Sequence, residues 1–442
     1  MVLSRLFKRN LWSLRPNLAQ VPRPTSFLPQ GHIVDEEACP TYDSKSYYPA
    51  KAGDLVANYQ VLVKIGWGSR STVWLARDIR RFRWQSERLI ALKINNCNIQ
   101  QANHERDIED HINKANPSHR GHVIIRACLE SFEVTGPEGK HLCLAYEPMR
   151  EPVWLYQQRF PDRRLPSSLI KAFLTMILTG LDYLHSECKV VHTDLRLENI
   201  LVGFEDEHVI EDFAKAQLTL PMEQKIDPTG RIVYRCHNNF GPLKKLMNIP
   251  KIVDFGLARH ILDPSGVETH PIQPDHYRAP EVILGCGWSF SADIWNIGLL
   301  VWGMFELKEL FTQVRDSQGN YSAKGHLAEM IALLGPPPKA LIAKINSMPP
   351  NPWQFPVMGD DGNTHSNPKE FFGGPFFSDK GDFMHNGLIP DRKLEDTVLS
   401  LDGKEKELLL SFVSKAVGWL PDERSTAREL LEHPFLQVIP KV

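Results

Sequence analysis

Four side chains in this sequence have the type and spacing to do chemistry together. Asp194 and Asn199 stand in Val191-His192-Thr193-Asp194-Leu195-Arg196-Leu197-Glu198-Asn199, the pattern H-x-D-L-x-x-x-N. A carboxylate at the first position can accept the proton of an attacking hydroxyl, and an amide oxygen at the second can hold a magnesium ion. A second carboxylate, Asp254, opens Asp254-Phe255-Gly256 after the strand-like Lys251-Ile252-Val253. It is placed to chelate the magnesium that bridges the β- and γ-phosphates of a nucleoside triphosphate. Lys93 lies in Ala91-Leu92-Lys93-Ile94. A lysine among apolar strand neighbours needs anionic partners, which here are phosphates and a helix glutamate. Glu105 is the first choice for that glutamate, and Glu109, one turn later, the second.

Two further segments complete an order. Ile65-Gly66-Trp67-Gly68-Ser69-Arg70-Ser71-Thr72-Val73 sits between two strand patterns. Glycines let backbone amides close over phosphate oxygens, because no Cβ blocks the approach. Ser71 stands where G-x-G-x-x-G-x-V has its third glycine, and alone the turn reads as a plain hairpin. Ala279-Pro280-Glu281 follows far downstream, with Tyr277-Arg278 before it. A D-F-G tripeptide alone carries little information, but five motifs in this order specify phosphoryl transfer from a nucleotide.

These residues need elements to hold them. Val61, Val63 and Ile65 alternate with polar residues, and Val73 and Leu75 resume after the glycine turn, predicting a β-hairpin. Residues 89–94 and 142–146 read as further strands, and 104–112 as a short helix ended by Asn116-Pro117. After Pro166 the period becomes helical, with Ile170, Phe173, Ile177, Leu181 and Leu184 on one stripe. Helices are expected over 292–307, 326–334, 405–417 and 426–431, and over 209–218 in the long stretch between Asn199 and Asp254. Residues 336–400 are rich in Pro, Gly and Asp and read as surface loops. A small β-rich region thus precedes a larger helical one.

Composition is that of an ordinary soluble globular chain, 42% apolar and 24% charged, and the net charge of −2 points to no nucleic-acid or membrane partner. The apolar run 294–305 is too short to span a bilayer. The seven cysteines form no C-x-x-C pair and read as reduced thiols. Residues 1–34 carry Arg5, Lys8, Arg9, Arg15 and Arg23 without an acidic residue, and drawn as a helix they put Leu3, Leu6, Phe7, Leu11 and Leu14 on one face. That is the look of a mitochondrial presequence, or of a basic disordered extension. Residues 15–52 read as linker. The acidic run Glu205-Asp206-Glu207 with Glu211-Asp212 reads as a dock for a basic peptide or as a solvated helix face.

On these motifs, together with Ser291-Ala292-Asp293-Ile294-Trp295-Asn296 and His326-Leu327-Ala328-Glu329-Met330, the sequence resembles the eukaryotic serine/threonine protein kinases. It is most similar to the SR-protein-kinase-like family of the CMGC group, in its compact fungal form. The resemblance covers about residues 53–437. It implies an α+β, two-lobed fold: an extension at 1–52, an N-lobe at 53–149 with one main helix, and a helical C-lobe at 150–442 with an insertion at 203–250. It implies ATP and Mg2+, with Asp194, Lys93, Arg196 and Asn199 catalytic and Asn199 and Asp254 on the metal. Ile65, Val73, Ala91 and Leu201 would sandwich the purine, and Gly66, Gly68 and Lys93 would meet the phosphates. Glu147 and Met149 would read the adenine edge behind a gatekeeper, Tyr146. Asp293 would brace the catalytic loop, Glu105 would pair with Lys93, and Glu281 with Arg424. The acceptor would be a serine or threonine of a protein, in the family an Arg/Ser-rich one, and the chain a monomer of cytoplasm or nucleus unless the N-terminus directs it to the mitochondrion.

The sequence also departs from that pattern. Arg196 replaces a lysine, Leu197 a proline, and Pro274 a threonine that positions substrate. Thr193 replaces the arginine of H-R-D, an absence the family shares, which implies activity without phosphorylation of the activation loop. Arg196, Pro274 and Ser71 leave a scaffold without activity as the alternative, and a small-molecule phosphotransferase as a more distant one.

Overall fold

A computed structural model of the chain describes residues 27–437 apart from 83, 218, 247, 263–267, 349–351 and 360–361. The presequence-like residues 1–26 and the expected helix end at 218 lie outside the described residues. The chain divides into two compact units. Of the described residues, one takes 27–114, 126–151 and 201–249; the other takes 115–125, 152–200 and 250–437.

The first unit is built on strands β1 (Leu55–Val56), β2 (Tyr59–Gly68), β3 (Ser71–Asp78), β4 (Leu89–Asn95), β5 (Cys128–Thr135) and β6 (Lys140–Tyr146). They form one six-stranded sheet in the order β1-β2-β3-β4-β6-β5, each neighbouring pair antiparallel. Val61, Val63, Val73, Trp74, Ile90 and Ile94 are β-branched or aromatic and suit a pleated, half-buried surface. The hairpin at the glycine turn closes with Gly68 opposite Ser71. Register sets Lys93 opposite Val73 on one side and Leu144 on the other. Strand β5 escapes sequence reading because Glu130 and Glu133 interrupt its apolar residues, as befits an edge strand. The helix Ile99–Ala115 is longer than expected, and its buried face includes Glu105 and Glu109.

Strand β2 loses its alternation: Tyr59 to Lys64 are all buried. Both faces of the sheet are covered there. The helix Glu207–Gln217 packs Val209, Ile210, Phe213 and Ala214 into the same core as Val61, Val63 and Trp74, joined by Met222, Tyr234 and Phe240. The segment 203–250, read as an insertion of the larger lobe, therefore builds the smaller unit, because its amphipathic helix needs an apolar sheet to cover. Residues 27–52 are likewise folded rather than linker, with Val34, Glu36, Tyr47 and Ala50 buried.

The second unit is helical. Ser291–Glu306 is its central helix, buried almost all round, with Trp295 and Trp302 wholly enclosed. A Cβ on Gly298 would meet Val417 at 2.3 Å, so this glycine permits the close approach of the chain that follows Gly403–Ala416. Ser167–Asp182, Ala323–Leu334 and Ala427–Leu431 match the expected helices within a few residues. Ser167–Glu187 is apolar and long enough to cross a bilayer, but 56% of its apolar window is buried inside the protein, as in a core helix. Residues 336–400 are more ordered than loops: they carry the helix Lys339–Ser347 and bury Trp353, Phe372, Phe376, Phe377 and Phe383.

Candidate active site

In the first unit the Lys93 ammonium lies 2.5 Å from Glu105 Oε1, both side chains largely buried. Glu105 therefore takes the lysine. Glu109 instead accepts a hydrogen bond from the Tyr146 hydroxyl at 2.7 Å, and the Arg126 guanidinium covers the Tyr146 ring at 4.2 Å. Burial, reinforced by the charge of Glu105, pushes the Glu109 carboxyl up to about 8. Ile65 and Val73 pack with Ala91, Leu144 and Tyr146 into one apolar cluster. Glu147 follows β6 and is exposed, whereas Met149 is buried. Leu201 is half-buried in the short strand Ile200–Val202. Gly66 and Gly68 both lie in the extended backbone of β2. A Cβ on Gly66 would stand 3.5 Å from Val73, and one on Gly68 would stand 3.3 Å from the Ser71 hydroxyl. Their contribution is a bare strand surface rather than an unusual turn.

In the second unit one buried carboxylate shapes the loop that carries Asp194. Asp293 accepts the backbone N–H groups of His192 at 2.7 Å and Thr193 at 2.9 Å, and faces His185 Nε2 at 2.9 Å. Thr193 is thereby held in left-handed backbone at φ 69°, a strained state for a β-branched residue. Asn199 donates from its amide to both the backbone oxygen and the carboxylate of Asp194, each at 2.8 Å. Arg196 Nε lies 3.1 Å from the other Asp194 oxygen, an ion pair without hydrogen-bond geometry. Burial pushes the Asp194 carboxyl up; Arg196 and His192 oppose the shift, and Asp254 adds to it. Asp254 is exposed and also left-handed, at φ 68°, while Phe255 is buried against the His192 ring at 5.2 Å.

The donor set fits magnesium. With its amide nitrogen committed to Asp194, Asn199 has its oxygen for another partner, and Asp254 supplies a carboxylate. Among the described residues no three His, Cys, Asp or Glu side chains gather as a metal cluster. A cation held by these two oxygen donors must complete its shell with phosphate and water, which is the habit of magnesium.

The segment after Asp254 is fastened by hydrogen bonds and, near its end, by ion pairs from Asp275 to Arg278 at 3.0 Å and to Arg315 at 2.8 Å. The Thr193 hydroxyl, where an arginine is usual, donates to the Leu257 carbonyl at 2.9 Å. Trp353 Nε1 donates to the Thr269 hydroxyl at 3.0 Å, and Trp288 Nε1 to the His270 carbonyl at 2.8 Å. Sequence reasoning missed Gln273. Left-handed at φ 67° before Pro274, it accepts from the Ala279 N–H at 2.8 Å and donates to the Ala292 carbonyl and to Asn296. A polar residue between Ile272 and a proline was the only signal. Glu281 and Arg424 form a fully buried two-point pair at 2.7 and 2.6 Å, and Arg424 also bonds the Ser291 and Gly418 carbonyls. A cavity of about 360 Å³ beside Leu197 is lined by Trp154, Glu198, Tyr277, Leu307 and Glu309. Burial pushes the Glu309 carboxyl up; His276 opposes the shift, and the charge of Glu198 adds to it.

This sheet and helical unit, with an ion-paired strand lysine and a braced aspartate loop, define a protein kinase. The protein kinase domain profile matches residues 59–237 and 242–436. A serine/threonine protein kinase of Aspergillus fumigatus is 33% identical over 440 residues, 98% of each chain. The serine/threonine-protein kinase SRPK of Physarum polycephalum is 29% identical over 446 residues, covering 93% of this chain and 94% of that one. A crystal structure of a kinase domain is similar at a TM-score of 0.62 over 89% of this chain and all of the other; at 22% identity it speaks to fold alone. The chain belongs to the protein kinase family. Within it, it is an ATP-dependent serine/threonine kinase of the SR-protein-kinase-like branch of the CMGC group.

Proposed function

We propose that the chain is a competent kinase that phosphorylates serine or threonine beside basic residues of a protein. The observation that carries competence is the Lys93–Glu105 ion pair, which an active kinase must have in place. Lys93 would neutralise the α- and β-phosphates. Asn199 and Asp254 would hold magnesium, which when bound offsets charge on the β- and γ-phosphates. Asp194 would orient the acceptor hydroxyl and take its proton as the oxygen attacks the γ-phosphorus and the bond to ADP breaks. Arg196 would stabilise charge on the group in transfer. Most of the acceleration would come from placement and fixed charge.

The basic preference draws on the cavity beside Leu197, where Glu198 and Glu309 stand among Trp154 and Tyr277 and Arg163 and Lys308 complete the charged lining. Two carboxylates and aromatic faces suit a guanidinium, which forms paired hydrogen bonds and stacks. The second reading, a scaffold without activity, draws on the Arg196–Asp194 pair, which occupies the base. Phosphorylation of a degenerate peptide library with Mg-ATP, by wild type and Asp194→Asn, decides between them. Wild type is expected to incorporate phosphate on peptides enriched in flanking Arg or Lys, and the variant to lose about 100-fold or more. No incorporation above the variant, with no thermal shift on adding nucleotide, would sink the enzyme reading.

A further inference from the structure

The glycine turn is held from outside the catalytic motifs. At its base, Lys64 is 1% exposed and sits two residues before Gly66. Its ammonium meets Asp35 at 3.1 Å, Glu36 and the Tyr234 carbonyl at 2.8 Å. The acidic turn Asp35-Glu36-Glu37 is matched residue by residue: Arg231 pairs with Glu36 at 3.3 Å, Lys225 with Glu37 at 2.8 Å, and the Cys236 N–H donates to Asp35 at 2.6 Å. The backbone of β2 is engaged too, with the His237 N–H on the Lys64 carbonyl at 2.8 Å. The same N-terminal segment then reaches the tip. The Tyr47 hydroxyl donates to the Ser69 carbonyl at 2.6 Å, and the Ser46 carbonyl accepts the Cys97 N–H at 2.9 Å. Tyr47 is itself enclosed, its ring tilted against Tyr42 at 5.3 Å and under the Arg231 guanidinium at 5.3 Å.

A glycine turn of this kind is ordinarily free to open, and closing it over a nucleotide costs conformational entropy. Here residues 34–47 form a strap that grips the turn at both ends, at Lys64 and at Ser69. We propose that Tyr47 is a positioning residue for ATP: through the Ser69 carbonyl it fixes the turn in its nucleotide-covering form before nucleotide arrives, and the charged clasp at Asp35, Glu36 and Glu37 holds Tyr47 in place. This rests on the reading of β2 and β3 as the nucleotide-covering hairpin. A pre-set turn saves ordering on binding, so the strap acts on ground-state affinity rather than on the chemical step.

The test uses the full-length chain. Tyr47→Phe keeps the ring and removes the hydroxyl. Amide exchange at 69–72 in the nucleotide-free protein is expected to accelerate. The Kd for Mg-ATP by calorimetry and the KM for ATP should both rise about threefold to tenfold, the range of one lost hydrogen bond. With KM affected alone, kcat at saturating ATP stays within about twofold. Ser44→Ala removes the strap's bond to the Thr229 hydroxyl but no contact to the turn, and is expected to match wild type. Wild-type exchange and Kd in Tyr47→Phe would overturn the proposal, as would equal losses in both variants, which would mark general loosening of the strap. If wild type itself binds no Mg-ATP, the nucleotide role of the hairpin fails, and exchange at 69–72 still decides whether Tyr47 tethers the turn.

Discussion

The two units hold their working loops by opposite means. In the helical unit a single carboxylate, Asp293, wholly buried, gathers two backbone N–H groups and a histidine, and the strained Thr193 and the placement of Asp194 depend on it. In the sheet unit the glycine turn hangs on a distributed network, in which Lys64, Arg231 and Lys225 share Asp35, Glu36 and Glu37. A hub gives fixed geometry at the risk of total loss. A network spreads the load, since each carboxylate keeps a partner when one cation goes. The hub serves the step in which atoms must be placed to a fraction of an ångström; the network serves a covering loop, where affinity is at stake.

Removing the hub should have the largest effect. Asp293→Ala leaves the His192 and Thr193 N–H groups buried without their acceptor, at about 1–3 kcal/mol each. The left-handed Thr193 is then left to its hydroxyl bond with the Leu257 carbonyl, and Asp194 leaves its position. A loss in kcat on the order of 10²-fold or more is expected, with a much smaller change in KM for ATP. Steady-state kinetics with a peptide acceptor checks this. A kcat within about tenfold of wild type would show that Asn199 and the His192–Val253 bond suffice to place Asp194, and the hub description would fall.

The contrast also explains what could be read from the sequence. The hub acts on a short loop, so its residues appear as local motifs: His192-Thr193-Asp194, Asn199 five positions on, and Asp254-Phe255-Gly256. The Asp293 segment and the Glu281–Arg424 pair are distant but were marked by resemblance. The network left no such trace. Lys64 looks like a polar residue on the outward side of a half-buried strand, and only the burial of both faces of β2 shows otherwise. Its partners lie near residue 35 and near 231, in a stretch that reads as linker and in one that reads as insertion. Charge pairs across such separations have no periodicity. The acidic run of the insertion reads either way in sequence, and packing separates its members: Glu205 is buried against Arg150 at 3.1 Å, and Asp206 accepts the His208 N–H at 2.9 Å, while Asp212 faces solvent.

The network should answer a comparable deletion differently. In Lys64→Met, Glu36 retains Arg231 and Asp35 retains the Cys236 N–H, while the Tyr234 carbonyl loses its ammonium donor. A stability loss of about 3 kcal/mol, the low end for a broken buried pair, is expected by denaturant unfolding, with kcat nearly unchanged. A collapse of kcat comparable to that of Asp293→Ala would make Lys64 a hub in its own right and erase the distinction between the units.

A pH-dependent effect belongs to a charge the sheet unit does not distribute. Glu109 has one carboxylate oxygen on the Tyr146 hydroxyl and the other buried without a hydrogen-bond partner. Burial and Glu105 raise its carboxyl from 4.5 to about 8. Below pH 4.5 folded and unfolded chains both hold this proton. Between 4.5 and about 8 the unfolded chain releases it while the folded chain keeps it, so the native state loses stability as pH rises; above about 8 both are ionised and the loss is complete. Glu109→Gln keeps an acceptor for Tyr146 and cannot titrate. The Tm of the variant relative to wild type is therefore expected to climb across that interval and then level off. A difference independent of pH would mean that Arg126 and Lys93, both charged neighbours of Glu109, compensate it as fully as the strap carboxylates are compensated. The sheet unit would then be a charge network throughout, and the contrast with the single hub of the helical unit would be sharper still.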